Sequence, residues 1–246
     1  MTSPVSPPGA TTARRRTSHR PLTEIADGLW RVDATLDLLP IGRRMVIARL
    51  ADGSLAVHSA VACDEPTMAQ IDALGPVRWI VVPSLSHRLD AHAYKTRYPA
   101  AKVVTMPAAA AKVRELVEVD GSYDLLPAGG ALSWQALDGV PVEAVFVHRD
   151  GAGRVTLIFN DGFMNLPDRL PGAKGLVVKL IGSTGGPKVT RTARMFIVKD
   201  PKAYAAHLRR LAATPGLVRV VPGHGDLVEG DAAAALRRAA DGLHRA

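Results

Sequence analysis

An apolar strand that ends in a glycine-flanked histidine decides the fold class of this chain. The stretch Val218–Asp226 is VRVVPGHGD, in which a buried-strand pattern stops at Pro222 and polar groups follow at once. The two glycines beside His224 allow the backbone to approach another part of the chain closely. A histidine in so tight a turn seldom serves packing, which makes His224 the first candidate for a functional site.

Two other apolar strands end in the same manner. Val77–Val82 is followed by Pro-Ser-Leu-Ser-His87, and Val155–Phe159 is followed by Asn-Asp161-Gly. In open α/β sheets, ligands bind at the carboxyl ends of the strands, where loops gather side chains on a rigid scaffold. Imidazole and carboxylate groups suit zinc, iron or manganese. The sequence therefore predicts that His87, Asp161 and His224 meet in a metal site.

The order of the remaining elements predicts an αββα sandwich, with two sheets inside and helices outside. Residues 167–195 show two glycine-rich stretches and no clear element. Strands are predicted at Leu29–Leu36, Arg43–Leu50, Leu55–Val61, Val77–Val82, Lys102–Thr105, Ala131–Leu137, Val142–His148, Arg154–Phe159 and Leu217–Val221, and helices at Asp64–Leu74, His87–Tyr98, Pro107–Leu116, Pro201–Ala213 and Asp231–Leu243.

The composition is that of an ordinary globular protein. The chain has 246 residues, of which 47% are hydrophobic and 22% charged, and we expect one domain over residues 21–246. Cys63 is its single cysteine, which excludes a disulfide framework and a cysteine-based zinc cluster and fits a reducing cytoplasm. No apolar run approaches the roughly 20 residues that span a bilayer, so no membrane partner is expected.

Half of the net charge of +8 lies in the first 20 residues. Residues 1–20 include Arg14, Arg15, Arg16 and Arg20 and no acidic residue, and their Pro, Ser and Thr content predicts a disordered basic tail. An arm that binds nucleic acid or another anionic surface is the alternative. The rest of the chain is nearly balanced in charge and lacks the interleaved aromatic and basic residues of single-strand binders, so nucleic acid is not an expected partner.

The run VVPGHG at residues 220–225 resembles the last metal-ligand motif of the metallo-β-lactamase superfamily. Leu157–Gly162 lies where that family keeps a bridging aspartate, and the element order from Gly28 onward is similar. Further segments resemble an uncharacterised branch of the superfamily, a domain-of-unknown-function family: RMVIARL at 44–50, DGSL at 52–55, VHS at 57–59, GPVR at 75–78, YPAAK at 98–102 and VEAVFVH at 142–148. The resemblance implies a metallo-β-lactamase-like αββα four-layer sandwich.

The chain departs from the family pattern after the strand Val77–Val82. Active members carry His-x-His-x-Asp-His there, whereas this chain has SLSHRLDAH over residues 84–92. If the segment is helical, His87 and Asp90 share a face but His92 lies about 140° from His87, so the three cannot face one ion. We therefore expect at most one zinc, iron or manganese ion, held by His87, Asp161 and His224. A vestigial pocket without metal is the alternative.

Three function classes follow from this incomplete motif. The first is a mononuclear metal-dependent hydrolase of unknown substrate. The second is a non-catalytic descendant that binds a small ligand or a protein partner in the same cleft, in which His87 only caps a helix or lies at the surface and Asp161 only forms a turn. The third, nucleic-acid processing, is supported by the charge alone.

Other polar residues have simpler predicted roles. His58 is expected to be a hydrogen-bonded residue of the core or of a sheet edge. Arg44 is expected at the surface, with binding to a carboxylate or phosphate as the alternative. Glu143 and His148 are five residues apart on one strand, so they should face opposite sides of the sheet.

Overall fold

The first of two large sheets is built from the N-terminal half of the chain. The computed structural model describes residues 18–35 and 40–243. Six strands form this sheet in chain order: β1 (Thr23–Ala26), β2 (Leu29–Ala34), β3 (Arg43–Arg49), β4 (Leu55–His58), β5 (Val77–Val82) and β6 (Lys102–Thr105). Neighbours from β1 to β4 are antiparallel, and β4, β5 and β6 are parallel.

The second sheet has five strands and a different order. Its strands are β7 (Leu132–Leu137), β8 (Val140–Arg149), β9 (Val155–Ile158), β12 (Leu217–Val221) and β13 (Val228–Glu229), and they lie in the order β13-β12-β9-β8-β7. Strands β9 and β12 are parallel neighbours, so the loops that follow them leave the same edge of the sheet. A separate two-stranded ribbon pairs β10 (Met164–Leu166) with β11 (Gly186–Lys188).

The described residues contain seven α-helices, and all but the fourth contribute side chains to the two buried clusters. They are α1 (Glu65–Leu74), α2 (Ala91–Arg97), α3 (Pro107–Val113), α4 (Gly172–Leu180), α5 (Arg191–Phe196), α6 (Pro201–Ala212) and α7 (Ala232–Leu243). The Asp64 side chain accepts the Thr67 amide and begins α1, and the Asp200 side chain caps α6 in the same way, as expected for acidic N-caps. No helix in the described ranges 18–35 and 40–243 has the length and apolar character needed to cross a membrane.

Two buried clusters define the layers. Phe146, Ile158 and Val221 of the second sheet belong to the same cluster as the first sheet and helix α1, so the two sheets pack face to face. The second cluster lies on the other face of the second sheet and includes Tyr204 of α6 and Leu236 of α7. The architecture is the predicted αββα sandwich.

The helix expected at His87–Tyr98 begins later than the sequence suggests, at Ala91. Residues 84–90 form turns instead, because local side-chain bonds compete with the helical ladder. The Ser84 hydroxyl accepts the His87 amide, and the Asp90 carboxylate pairs with Arg43 and accepts the Ala62 amide. His87 is therefore free of helical geometry.

The structure describes residues 167–195 and the last three residues of the predicted tail. Residues 167–195 contain α4, β11 and α5. Residues 1–17 of the predicted tail lie outside the described residues, whereas Ser18 and Arg20 make backbone hydrogen bonds beside β2 and His19 pairs with Ala34.

Candidate metal centre

The structure brings His87, Asp161 and His224 together, although 63 or more residues separate each from the next in the chain. His87 follows β5, Asp161 follows β9 and His224 follows β12. The Nε2 atoms of the two histidines are 3.0 Å apart, and Asp161 Oδ1 lies 3.2 Å from His87 Nε2 and 3.1 Å from His224 Nε2. One possible ligand atom from each residue thus faces the same small space, as the strand-end pattern predicts.

The spacing of these atoms fits a single small metal ion. Ligand atoms about 2.0–2.1 Å from a tetrahedral zinc ion lie about 3.3–3.4 Å from one another. The observed separations of 3.0–3.2 Å are close to that edge length. Two imidazoles and one carboxylate are the protein ligands of many catalytic zinc sites, and they leave a fourth tetrahedral position open.

The backbone oxygen of Gly42 sets the tautomer of His224. This oxygen lies 2.5 Å from His224 Nδ1, and because a carbonyl only accepts, Nδ1 carries the proton. In the neutral form of His224, the lone pair of Nε2 is then the one directed at His87 and Asp161. Such an outer hydrogen bond orients the metal-binding histidines of many proteins.

Both glycines beside His224 are required by close backbone approaches. A Cβ atom on Gly223 would lie 2.9 Å from Asn160 Oδ1, and one on Gly225 would lie 1.9 Å from the carbonyl oxygen of Asn165. Gly225 also has a φ of +83°, which favours glycine. The glycine pair therefore lets the His224 loop pack against the loop that carries Asp161.

Arg44 also fixes this loop, and the expectation that it lies at the surface is wrong. Its side chain is buried on β3 and donates to the carbonyl oxygens of Pro222 and Gly225, each at 2.8 Å. It also donates to Asp33 Oδ1 at 2.6 Å, in line with the carboxylate-binding alternative. No local pattern indicates the carbonyl contacts, because they join residues that are far apart in the chain.

Two serines hold His87. Ser59 Oγ lies 2.8 Å from His87 Nδ1, and Ser59 has a φ of 57°, an uncommon conformation for a non-glycine residue that concentrates at functional sites. The Ser84 hydroxyl accepts the amides of Ser86 and His87. Burial lowers the pKa of His87, and the Asp161 carboxylate opposes that shift.

Asp161 is bonded through both oxygens. Oδ1 faces the two histidines, and Oδ2 accepts the Ser84 hydroxyl at 3.0 Å. Burial raises the pKa of Asp161, but His87 and His224 outweigh it and hold that pKa well below its ordinary value. Asp161 is therefore an anion between two imidazoles, the protonation state that a metal ligand needs.

Glu143 is a site residue that the sequence reasoning missed. It is fully buried on β8, and its carboxylate accepts the amides of Asp161 and Gly162 at 3.0 and 2.8 Å. Burial, reinforced by the Asp161 charge, raises the pKa of Glu143 well above its usual range. An acidic residue inside an otherwise apolar strand is the signal that could have identified it, since buried carboxylates need partners.

Three further histidines lie outside the cluster. His92 is exposed on α2. His58 is buried with both ring nitrogens unpartnered, so the expectation that it is hydrogen-bonded is wrong; its ring packs edge-on against Phe146. His148 is also buried without partners, and it approaches Gly28 whereas Glu143 approaches Gly162, on opposite faces as predicted.

Comparisons with known proteins agree with this architecture. Residues 26–110 match the family model of a domain of unknown function, DUF4336. A search of curated proteins by sequence found no match.

Solved structures give the wider likeness. The metal-soaked flavodiiron core Flv1 from Synechocystis sp. PCC6803 is similar, with a TM-score of 0.62 and 12% identity. The match covers 93% of this chain and 62% of the longer Flv1 chain. The metallo-β-lactamase FIM-1 from Pseudomonas aeruginosa, in its mono-zinc form, is similar with a TM-score of 0.57 and 11% identity over 94% of this chain and 97% of that one. A metallo-β-lactamase from Erythrobacter litoralis gives a TM-score of 0.59 and 16% identity over 90% and 96% of the two chains. The chain therefore has the metallo-β-lactamase fold, and its N-terminal part matches a domain of unknown function.

Proposed function

We propose that the protein is a mononuclear metal-dependent hydrolase. The observation that carries the proposal is the convergence of His87 Nε2, Asp161 Oδ1 and His224 Nε2 at mutual separations of 3.0–3.2 Å. When His224 is neutral, its Nε2 and the ionised Asp161 Oδ1 both present lone pairs, and a cation between them would satisfy both. A zinc, iron or manganese ion satisfies all three at once.

An ion in this position would lower the pKa of a bound water towards neutrality and polarise the scissile group of a substrate. Other residues of the chain orient the three ligand side chains. The Gly42 carbonyl accepts the Nδ1 proton of His224, so that Nε2 is the nitrogen a metal ion would bind. The Ser84 hydroxyl binds Asp161 Oδ2, which leaves Oδ1 directed at the histidines. Glu143 holds the backbone of Asp161 in place.

One ion is proposed rather than two. Within residues 18–35 and 40–243, one group of three possible ligands was found, and it is His87, Asp161 and His224. Ser84 and Ser86 lie in the segment where the family pattern has its pair of histidines. Asp90, the nearby carboxylate, is engaged by Arg43 and the Ala62 amide. These contacts support a degraded site that retains a single ion.

We further propose a small-molecule substrate and a cytoplasmic location. The single cysteine supports the location, because a secreted protein of this size more often carries disulfides. Burial of the cluster supports a small-molecule substrate, since only a small molecule or the narrow end of a larger one can reach it. Nucleic acid is not a partner in this proposal, because the tail supplies half of the net charge of +8 and the remaining charges are nearly balanced.

The second candidate is a non-catalytic binding protein. The low exposure of the cluster favours it: the side chains of His87 and His224 are each 5% exposed and that of Asp161 is 16% exposed. A cluster so closed could be a remnant in which the three residues satisfy one another and serve only to join the loops.

Metal reconstitution separates the two candidates. Protein stripped of metal would be loaded with zinc, ferrous iron or manganese and assayed on chromogenic esters, thioesters, β-lactams and phosphodiesters. Wild type and His92→Gln, which alters an exposed histidine, should hydrolyse at least one class when loaded, and Asp161→Asn should not. Hydrolysis that is equal in all three proteins, or absent from the loaded wild type, would favour the binding protein.

A further inference from the structure

A cavity of about 500 Å³ lies beside the metal centre. Its walls include Gly42, whose carbonyl binds His224, and Gly223 and Gly225, which flank His224 in the chain. An occupant would therefore lie against the loop that carries His224. The volume is in the range of small-molecule pockets, which is roughly 300–1,000 Å³.

Arginines dominate the charge of this cavity. Arg20, Arg31, Arg43 and Arg44 line it, together with Asp33 and Asp226. Arg20 belongs to the basic stretch that the metal centre does not use. Four guanidinium groups against these two carboxylates and Asp90, which pairs with Arg43 from outside the lining, leave the described lining positive.

Asp33 serves two of the arginines at once. Its Oδ1 accepts Arg44 Nε at 2.6 Å, and its Oδ2 lies 3.1 Å from Arg31 Nη1. One carboxylate therefore neutralises only half of the charge on this pair. A further anion in the cavity would stabilise both guanidinium groups.

Arg43 and Arg31 also hold unpartnered donors. The Arg43 side chain is 6% exposed and pairs with Asp90 through Nη2, but its buried Nε has no hydrogen-bond partner, and the same is true of Arg31 Nε. Buried guanidinium donors without acceptors are costly. Neither arginine therefore has acceptors for all of its donors, and both line the cavity.

We propose that this cavity binds the phosphate group of a small phosphorylated molecule. The guanidinium groups reach it from separate positions on the N-terminal segment, β2 and β3, an arrangement that matches the three acceptor oxygens of a phosphate better than the two of a carboxylate. The remainder of the molecule fills the rest of the cavity. This inference does not depend on metal at the adjacent cluster.

Calorimetric titration of the metal-free full chain tests the proposal. The chelator is removed before titration, since it is itself an anion. The ligands are inorganic phosphate, phenyl phosphate and benzoate, of which the last two differ only in the anionic group. Phenyl phosphate and inorganic phosphate should bind with one-site saturation, and benzoate should bind at least about tenfold more weakly.

Charge-neutralising variants locate the binding. Arg31→Gln and Arg20→Gln should each weaken phenyl phosphate binding by about tenfold, the effect of losing one charge-assisted hydrogen bond. Arg78→Gln, at an exposed position on β5 away from the cavity lining, is the matched control and should bind as wild type does. Arg20 is itself exposed, so its substitution remains informative even if Arg31→Gln does not fold.

Three results would overturn the proposal. Binding of benzoate as tight as that of phenyl phosphate would assign the cavity to a carboxylate. Equal weakening by Arg20→Gln, Arg31→Gln and Arg78→Gln would show only general charge attraction. A failure of phenyl phosphate to saturate wild type below about 10 mM would leave no site of useful affinity. None of these results bears on metal binding by the cluster.

Discussion

The Nδ1 atom of His224 donates its proton to the backbone carbonyl oxygen of Gly42, 2.5 Å away. This bond joins the loop after β12 to the residue that precedes β3 in the other sheet, and in a neutral His224 it leaves Nε2 as the acceptor. The cluster of His87, Asp161 and His224 is thus oriented by backbone atoms that the ligand motif does not contain.

Replacing Asp161 by Asn should abolish metal binding. The amide keeps the shape of the side chain but lacks the negative charge that balances an ion between two imidazoles. In thermal unfolding, chelator should lower the midpoint of wild type and leave that of Asp161→Asn unchanged. A ligand at a hundredfold excess over its dissociation constant stabilises a protein by about 2.7 kcal/mol. A midpoint insensitive to chelator in both proteins would show that the cluster is vestigial.

Replacing Gly225 by Ala should be far more damaging than the same change at Gly230. Both have positive φ, at +83° and +77°, so both variants bear the backbone strain of about 1 kcal/mol. Only at Gly225 would the new Cβ lie 1.9 Å from the Asn165 carbonyl oxygen; at Gly230 nothing lies within 4 Å. We expect Gly225→Ala to lose at least about 3 kcal/mol in denaturant unfolding and to lose metal affinity. Similar losses in the two variants would contradict the packing described for the His224 loop.

The Glu143→Gln variant should gain stability over wild type as pH rises. Burial and the Asp161 charge raise the pKa of Glu143 in the folded protein, so its folded-state proton is lost at a higher pH than in the unfolded chain. Wild type therefore loses up to about 1.4 kcal/mol per pH unit above the unfolded pKa of about 4.3, until the raised pKa is reached.

Urea unfolding of metal-free protein between pH 4 and pH 8 measures this difference. The unfolding free energy of Glu143→Gln minus that of wild type should increase with pH, whatever its value at pH 4. The subtraction removes the contributions of the histidines, which both proteins share. A pH-independent difference would mean that the Glu143 carboxyl titrates normally.

His58 should limit stability in acid. Burial lowers the pKa of His58 to about 3 in the folded protein. Below pH 6.5 His58 is therefore protonated in the unfolded chain but not in the folded protein, so the free energy of unfolding decreases as pH falls towards 3. At pH 5 this costs about 2 kcal/mol. His58→Phe removes the titrating group and fills the space beside Phe146, so it should reduce the loss of stability between pH 7 and pH 5 by about that amount. His92→Gln, at an exposed position, is the control and should leave the loss unchanged.

The sequence predicted most strands of the two sheets and, apart from the start of α2, five of the helices, but no element within residues 167–195. It also predicted that the three residues of the cluster meet, because strand ends in an α/β sheet place their loops at one edge. Strands β5, β6 and β12 have the predicted bounds. The helix start at Ala91 could not be read from periodicity, since the Asp90 carboxylate is engaged by Arg43 from a distant strand.

The supporting contacts were beyond sequence patterns for a related reason. Arg44 meets Gly225 across 181 residues of chain, and Glu143 meets the Gly162 amide across a loop. Local composition contains no information on such pairs. It does show that Glu143 is a lone acid in an apolar strand, which marks a buried carboxylate whose partner only the fold reveals.

Metal stoichiometry tests the central claim most directly. Metal-free wild type and Asp161→Asn would be equilibrated with zinc, ferrous iron or manganese, freed of unbound metal and analysed by element-resolved mass spectrometry. Wild type should retain one ion per chain with at least one of these metals, and Asp161→Asn should retain none. Two tightly held ions per chain, no retained ion with any metal, or equal retention by both proteins would contradict a mononuclear centre at His87, Asp161 and His224.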